Sequence, residues 1–484
     1  MQGGAGYSGS VPRAVRILVP IAIGVLAVLT FNPITYEAWW LRSPEMPPDF
    51  VARVWCVDAA ILTLALIVAF VAARARPRAA AYGRRQWAFA AVLVILGLLV
   101  SAAVLEVGLR LSGTRAAFPS SLRRELGWRA RHAGTSGAPR PEASYAYSPT
   151  LGWELRPNVR TELVTSNSRG IRGSREYAEA PPPGTHRVLC LGDSFTFGPG
   201  LRDDETMPAR LEAALNADGT ARWEALNLGV EGYGTDQQWL YFADRGLRYR
   251  ADVVVLSFFE QNLERNVMSF RDYAKPYFTL VDGRLAVRNV PIPSPPELLA
   301  RPPVIPPLRV VSLVDTLAHE FRMSMSFEDL ARTPAGAVTV ALLDAIRGAA
   351  VTRGARFVLA SIPRPILPRA SDTEALLARW AARTGTPFVN LRTAYLGLPE
   401  GERKRLYRGH WTPHGADVTA RFIAAELRRL GQEKPWVRAD PPAGTGPVAV
   451  PTPAVPRRPE RSPSTRGRRA LRPPRRCRRR GAGG

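Results

Sequence analysis

Three long apolar stretches open the chain, and a different rhythm then replaces them. Val15 to Phe31 is interrupted by Arg16 alone, Val54 to Ala73 by Asp58 alone, and Trp87 to Leu105 holds no charge. Each approaches the roughly 20 residues that a helix needs to cross a bilayer. Three such runs in succession predict three transmembrane helices, where a single one would pass for a core helix. Trp39, Trp40, Trp55 and Trp87 lie at or near their ends, where interfacial aromatic residues are expected.

Arginine placement gives these runs a direction. Arg13 and Arg16 flank the first run on its N-terminal side, and Arg74, Arg76, Arg78, Arg84 and Arg85 fill the connection between the second and third. The first loop is mixed in sign. By the positive-inside rule the N-terminus and second loop face the cytoplasm, and a third crossing delivers everything after about Leu111 to the outside. Arg110, Arg115, Arg123 and Arg124 oppose this mildly, but long domains translocate largely regardless of charge. No small-residue cleavage site follows the first run, so it does not read as a removable leader. The expectation is a multi-pass inner-membrane protein with residues 1–110 as its anchor.

Residues 111–183 read as a polar connector and pre-domain ending in Pro181-Pro182-Pro183-Gly184. Strand-like runs then alternate with helix-like spacing. Strands are predicted over Arg187–Leu191, Trp223–Leu228, Val253–Phe258, Phe357–Ile362 and Pro387–Leu391. Helices are predicted over Pro208–Leu215, Asp236–Leu247, Thr373–Arg383 and Gly415–Leu430. Unbroken apolar strands alternating with helices predict an α/β domain over 184–436, built on a parallel sheet of about five strands buried on both faces. A proline-rich insertion at about 270–308 reads as an exposed cap. Residues 437–484 are rich in Pro and Arg and cannot build a core.

Composition alters this picture in two respects. The net charge of +25 over 484 residues includes twelve arginines against one acid (Glu460) after Pro441, so basicity does not by itself mark a nucleic-acid binder and none is expected. Three cysteines, Cys56, Cys190 and Cys477, are too few and too scattered for a disulfide framework.

Ligands of open α/β sheets bind beyond the carboxyl ends of the strands, and four segments placed there carry usable polar groups. Leu191-Gly192-Asp193-Ser194-Phe195-Thr196-Phe197-Gly198 leaves Ser194 at the start of a helix, where backbone donors are unpaired. It is not the G-x-S-x-G elbow, because Thr196 replaces the second glycine. Asn227 to Gln237 is a glycine-rich turn that lets backbone approach a substrate, and Ser257 to Asn262 puts an amide beyond a core strand. Gly409-His410-Trp411-Thr412-Pro413-His414-Gly415 precedes the last helix, with Thr412 as its N-cap and Pro413 in its first position.

A nucleophilic serine needs an adjacent base, and there are five histidines. His132 lies in the connector, His186 at the wrong end of the sheet and His319 in a helix beside the insertion. His410 and His414 remain. Their spacing could suit a metal pair, but Pro413 and the lack of a third ligand weigh against it. No metal or cofactor is expected, and His414 reads as a capping or packing residue.

Taken together, the GDSF block, the N-L-G-V-x-G-Y-G-T-D-Q block, the strand followed by Asn262, and G-H-W-T-P-x-G resemble the four blocks of the SGNH (GDSL-type) hydrolase superfamily, in order and spacing. Gly152-Trp153-Glu154 through Asn167-Ser168-Arg169-Gly170-Ile171-Arg172-Gly173 resembles the pre-domain of membrane-tethered bacterial members. The resemblance spans roughly Leu151 to Leu430. It implies a flavodoxin-like sheet, Ser194 as nucleophile and His410 as base. It also implies an oxyanion hole of the Ser194 and Gly232 N–H groups with the Asn262 side chain.

Two departures stand out. Leu263 follows Asn262 where the family has aspartate, and the aspartate that normally precedes the histidine is replaced by Tyr407 and Arg408. The group orienting His410 must then be a carbonyl, a remote carboxylate, or missing. A cation at Arg408 would itself disfavour the imidazolium. The leading expectation is an extracytoplasmic esterase or deacylase acting on acylated carbohydrate or lipid. An O-acyltransferase on surface glycans is the alternative, and three spans would oblige it to use a multi-span acyl-donor partner. From another class comes a non-catalytic glycan-binding module. The sequence names neither the acyl group nor the alcohol.

Overall fold

The computed structural model describes residues 48–74, 84–111, 118–133, 144–314 and 330–436, with a few helical positions between 17 and 25. Most of the first apolar run, the basic stretch 75–83, His319 and the tail from 437 lie outside the described residues.

The second and third apolar runs are helices, Pro48–Arg74 and Arg84–Leu111, with Leu66, Ile67, Phe70, Ile95, Leu96 and Leu99 exposed along them. Among the described residues, however, one helix is long and apolar enough to cross a membrane, not three, and it is Pro334–Thr352. Half of that helix is buried, and Val338, Leu342, Leu343 and Ile346 join the sheet residues in one apolar cluster, so it is a core helix. The sequence reading missed it, because its apolar residues run nearly all round and leave little 3.6-residue contrast. The far end of Arg84–Leu111 is tied to the domain. Arg110 donates to the Pro307 carbonyl at 2.6 Å, and Glu106 accepts from Val310 N at 2.9 Å.

Five parallel strands form the centre: β3 (Thr185–Gly192), β4 (Arg222–Gly229), β5 (Val253–Phe259), β8 (Arg356–Ile362) and β9 (Phe388–Asn390). They are hydrogen-bonded in the order β4-β3-β5-β8-β9. Numbered within the sheet this is 2-1-3-4-5, the flavodoxin-like winding, whose switch point lies between β3 and β5. Alternate residues feed two cores, as the period of a strand requires. Leu189, Leu191, Val254, Leu256 and Phe357 pack beneath Pro334–Thr352. Val188, Cys190, Val253, Val255 and Val358 pack beneath Met207–Asn216 and Pro413–Glu433. All five predicted strands occur, each shifted by at most two residues at an end.

Two expectations need correction. The connector is not merely polar: β1 (Tyr145–Ser148) and β2 (Gly152–Leu155) form an antiparallel hairpin that buries Tyr145, Trp153 and Leu155 in the main core. Nor is the insertion an exposed cap. Phe270, Tyr273, Phe278 and Ile292 are buried in the same cluster, and the hairpin of β6 (Tyr277–Val281) and β7 (Arg284–Arg288) shapes it. The two segments bind each other, Ile292 N donating to the Pro149 carbonyl at 2.8 Å. Aromatic residues scattered singly through polar sequence carried this packing without a periodic signal.

Candidate active site

The carboxyl ends of β3, β4 and β5 each lead into a residue of the site, and the segment before the last helix adds another. β3 runs into a one-turn helix, Ser194–Phe197, capped by Asp193, whose carboxylate accepts from Phe195 N at 3.0 Å. Gly192 is required there because a Cβ would run into the Thr196 side chain. Beyond β4, Gly232 adopts a φ of 80° and abuts the Asp272 carboxylate, so a side chain there would be both strained and obstructed. Beyond β5, Asn262 opens the turn Asn262–Arg265 and is wholly buried. His410 arrives on β11 (His410–Trp411), which pairs with β10 (Tyr407–Arg408) just before the last helix.

The sequence-predicted pair meets. His410 Nε2 lies 2.8 Å from Ser194 Oγ, and the imidazole leans on the Phe195 ring at a centroid distance of 5.1 Å. Asn262 Oδ1 accepts from Arg265 at 3.1 Å, while its Nδ2 is buried with no partner among the described residues. A buried donor left unpaired calls for an explanation. The hairpin of β1 and β2 braces the Gly232 turn: Trp153 Nε1 donates to the Glu231 carbonyl at 2.9 Å and Tyr233 OH to the Trp153 carbonyl at 2.6 Å.

Three other histidines lie among the described residues, His132, His186 and His414. His132 stacks on Trp128. His186 lies 3.4 Å from Asp252 near the start of β3, at the far end of the sheet. His414 sits in the first helical turn with Nε2 buried and without a partner among the described residues. Thr412 caps that helix, accepting from Gly415 N at 3.0 Å, and Pro413 begins it. Among the described residues no group of three or more His, Cys, Asp or Glu is placed to hold a metal ion.

No hydrogen bond reaches His410 Nδ1 among the described residues, so the orienting carboxylate is not replaced there. Burial pushes the imidazole below its ordinary range. Asp193 opposes that shift, and Arg364, Arg265 and Arg271 reinforce it. Arg408 stands opposite His410 in the β10–β11 register but is exposed and not among these leading charges. Sequence reasoning missed Arg364 and Arg265. The available signals were position alone: Arg364 lies two residues beyond β8, and Arg265 three residues beyond Asn262.

A pH consequence follows with a definite sign. Where a neutral histidine serves as base, the acid limb of kcat/KM tracks its pKa. Arg364→Gln removes a charge that lowers this pKa, and the acid limb is expected to move to higher pH. Arg408→Asp should leave activity little changed. A limb that stays put in Arg364→Gln contradicts the assigned electrostatics.

No family model and no curated protein matches the chain. Solved structures similar to it include a lipase/acylhydrolase from Enterococcus faecalis, at 13% identity and TM-score 0.28, covering 51% of this chain and 96% of the other. A psychrotrophic esterase from Pseudoalteromonas sp. has 12% identity and TM-score 0.30, over 51% and 99%. A two-domain esterase active on acetylated mannans has 12% identity and TM-score 0.31, over 54% and 52%. The functional reading therefore rests on the site's own residues.

Proposed function

We propose that this chain is a membrane-anchored serine esterase or deacylase whose catalytic domain is extracytoplasmic and removes ester-linked acyl groups from cell-surface carbohydrate or lipid. The observation that carries the reading is the 2.8 Å hydrogen bond between Ser194 Oγ and His410 Nε2, set beside the unpartnered Asn262 amide. Neutral His410 takes the Ser194 proton as Oγ attacks the ester carbonyl carbon. The resulting oxyanion is received by the Ser194 and Gly232 N–H groups and Asn262 Nδ2. His410 then protonates the leaving alcohol oxygen, and the acyl group stays on Ser194. Water repeats the sequence in reverse, giving up its proton to His410 and releasing the carboxylic acid. Asp193 supplies the negative field that favours the imidazolium, in place of a hydrogen-bonded carboxylate.

Anchoring is supported by the apolar helices Pro48–Arg74 and Arg84–Leu111 and by the arginine-rich connection between them. The full chain in detergent is expected to hydrolyse p-nitrophenyl acetate and to release acetate from an acetylated glycan. A reporter that works only outside the cytoplasm should give signal when fused after Asp440 and none after Arg78. Absence of hydrolysis above the level of His410→Ala would overturn the catalytic reading, and the reverse reporter pattern would overturn the placement.

A further inference from the structure

Three separate segments carry the three donors assigned to the oxyanion, and one side chain touches all of them. Arg265 Nη1 donates to Asp193 Oδ2 at 2.8 Å, to Asn262 Oδ1 at 3.1 Å and to the Tyr233 carbonyl at 3.2 Å. Asp193 precedes Ser194, and Tyr233 follows Gly232. One guanidinium nitrogen has two hydrogens, so three acceptors converge on it and share them. The remaining terminal nitrogen holds the Gln261 side chain at 3.1 Å. The ion pair with Asp193 is almost wholly removed from solvent, at 5% and 0% side-chain exposure.

We infer that Arg265 is the positioning residue that assembles the oxyanion hole, and this rests on the reading of Ser194 and His410 as a catalytic pair. The chemistry of the guanidinium fixes the polarity of Asn262. Arginine donates and never accepts, so the amide must turn its oxygen toward Arg265, and Nδ2 is aimed away from it. That is the nitrogen left buried and unpartnered. By holding Asp193, Arg265 also holds the cap of the nucleophile turn, which binds Phe195 N. By holding the Tyr233 carbonyl, it sets the turn in which Gly232 presents its N–H. Arg265 and Asn262 lie three residues apart on one helical turn, a spacing that brings side chains to the same face.

A second layer keeps Arg265 in place. The wholly buried Lys275 ammonium donates to the Arg265 carbonyl at 2.8 Å, to Pro276 O at 2.7 Å and to Met268 O at 3.2 Å, and pairs with Asp236. The Phe259 ring lies 5.6 Å from the guanidinium carbon. A fork of donors can span three acceptors, whereas an ammonium on a flexible stem is a point charge and cannot reproduce that geometry.

The test separates geometry from charge in the full-length chain, with p-nitrophenyl acetate as substrate. Arg265→Lys keeps the charge and loses the fork. Its kcat is expected to fall about 10²-fold or more, as for loss of an oxyanion donor, with KM little changed and the acid limb of the pH profile where the wild type has it. The double variant Asp193→Asn/Arg265→Gln removes both buried charges together, so its folding does not depend on an unpaired ion, and the same fall in kcat is expected. A folded Arg265→Lys with kcat within about twofold of wild type, or a fall confined to KM, would overturn the positioning role. So would loss of folding in both variants, which would make Arg265 a determinant of the fold. A wild type no faster than His410→Ala would instead remove the catalytic reading beneath it.

Discussion

Alanine at His410 is expected to lower the kcat of ester hydrolysis by at least about 10²-fold. The floor follows from how serine sites behave. In subtilisin the loss of serine or histidine costs about 2 × 10⁶ in kcat, and loss of the aspartate alone about 3 × 10⁴, so the pair without its acid retains roughly a hundredfold advantage. Here no hydrogen bond reaches His410 Nδ1 among the described residues, while the bond to Ser194 is formed at 2.8 Å. A dyad of this kind is expected to work from a lower starting rate, so removing its base exposes only what the dyad adds. Steady-state kinetics of wild type and His410→Ala across pH check this. The wild-type profile should show an acid limb below the usual imidazole range, because burial and Arg364 hold the pKa down. The variant should lose that limb. Equal rates would leave a binding module on the same fold as the surviving reading.

Alanine at Asn262 is the second large effect, about 10² to 10³ in kcat, the usual cost of one oxyanion donor. Its side chain touches no solvent, its oxygen is held by Arg265, and its nitrogen has no partner among the described residues. A donor that gains its partner only as charge develops stabilises the transition state more than the bound ester. The loss should fall on kcat and leave KM nearly unchanged. A loss confined to KM would make Asn262 a substrate-binding residue, and a loss below tenfold would remove it from the oxyanion hole.

How much of this could be read from the chain depends on the length scale of the signal. The five strands were legible because each is a short, mostly apolar run and the helices between them alternate in period. That Ser194 and His410 meet was legible from the glycine turn after the first strand and from elimination among the five histidines. The core helix Pro334–Thr352 was not, since Ala, Gly and Val on every side erase the amphipathic stripe that marks a helix. Trp153, on β2, and Tyr273, in the insertion, were not either. Each is a single aromatic side chain buried against segments far away in sequence. Arg265 was invisible for a sharper reason. In sequence it is one arginine in a polar turn, and its role exists only where Asp193, Tyr233 and Asn262 converge on one nitrogen. The apolar runs at the N-terminal side announced helices, and Pro48–Arg74 and Arg84–Leu111 are helical. Their number across a membrane is a matter for the reporter fusions.

Covalent labelling tests the central claim most directly. A fluorophosphonate reacts with a serine only where a base activates it and an oxyanion site receives the phosphoryl oxygen, so it reads Ser194, His410 and Asn262 together. The full-length chain should be labelled at Ser194 as located by peptide mapping. Ser194→Ala should abolish labelling, and His414→Ala, which alters a packing residue in the first turn of the last helix, should leave it intact. Labelling that survives Ser194→Ala, or a folded wild type that takes no label, would contradict the account.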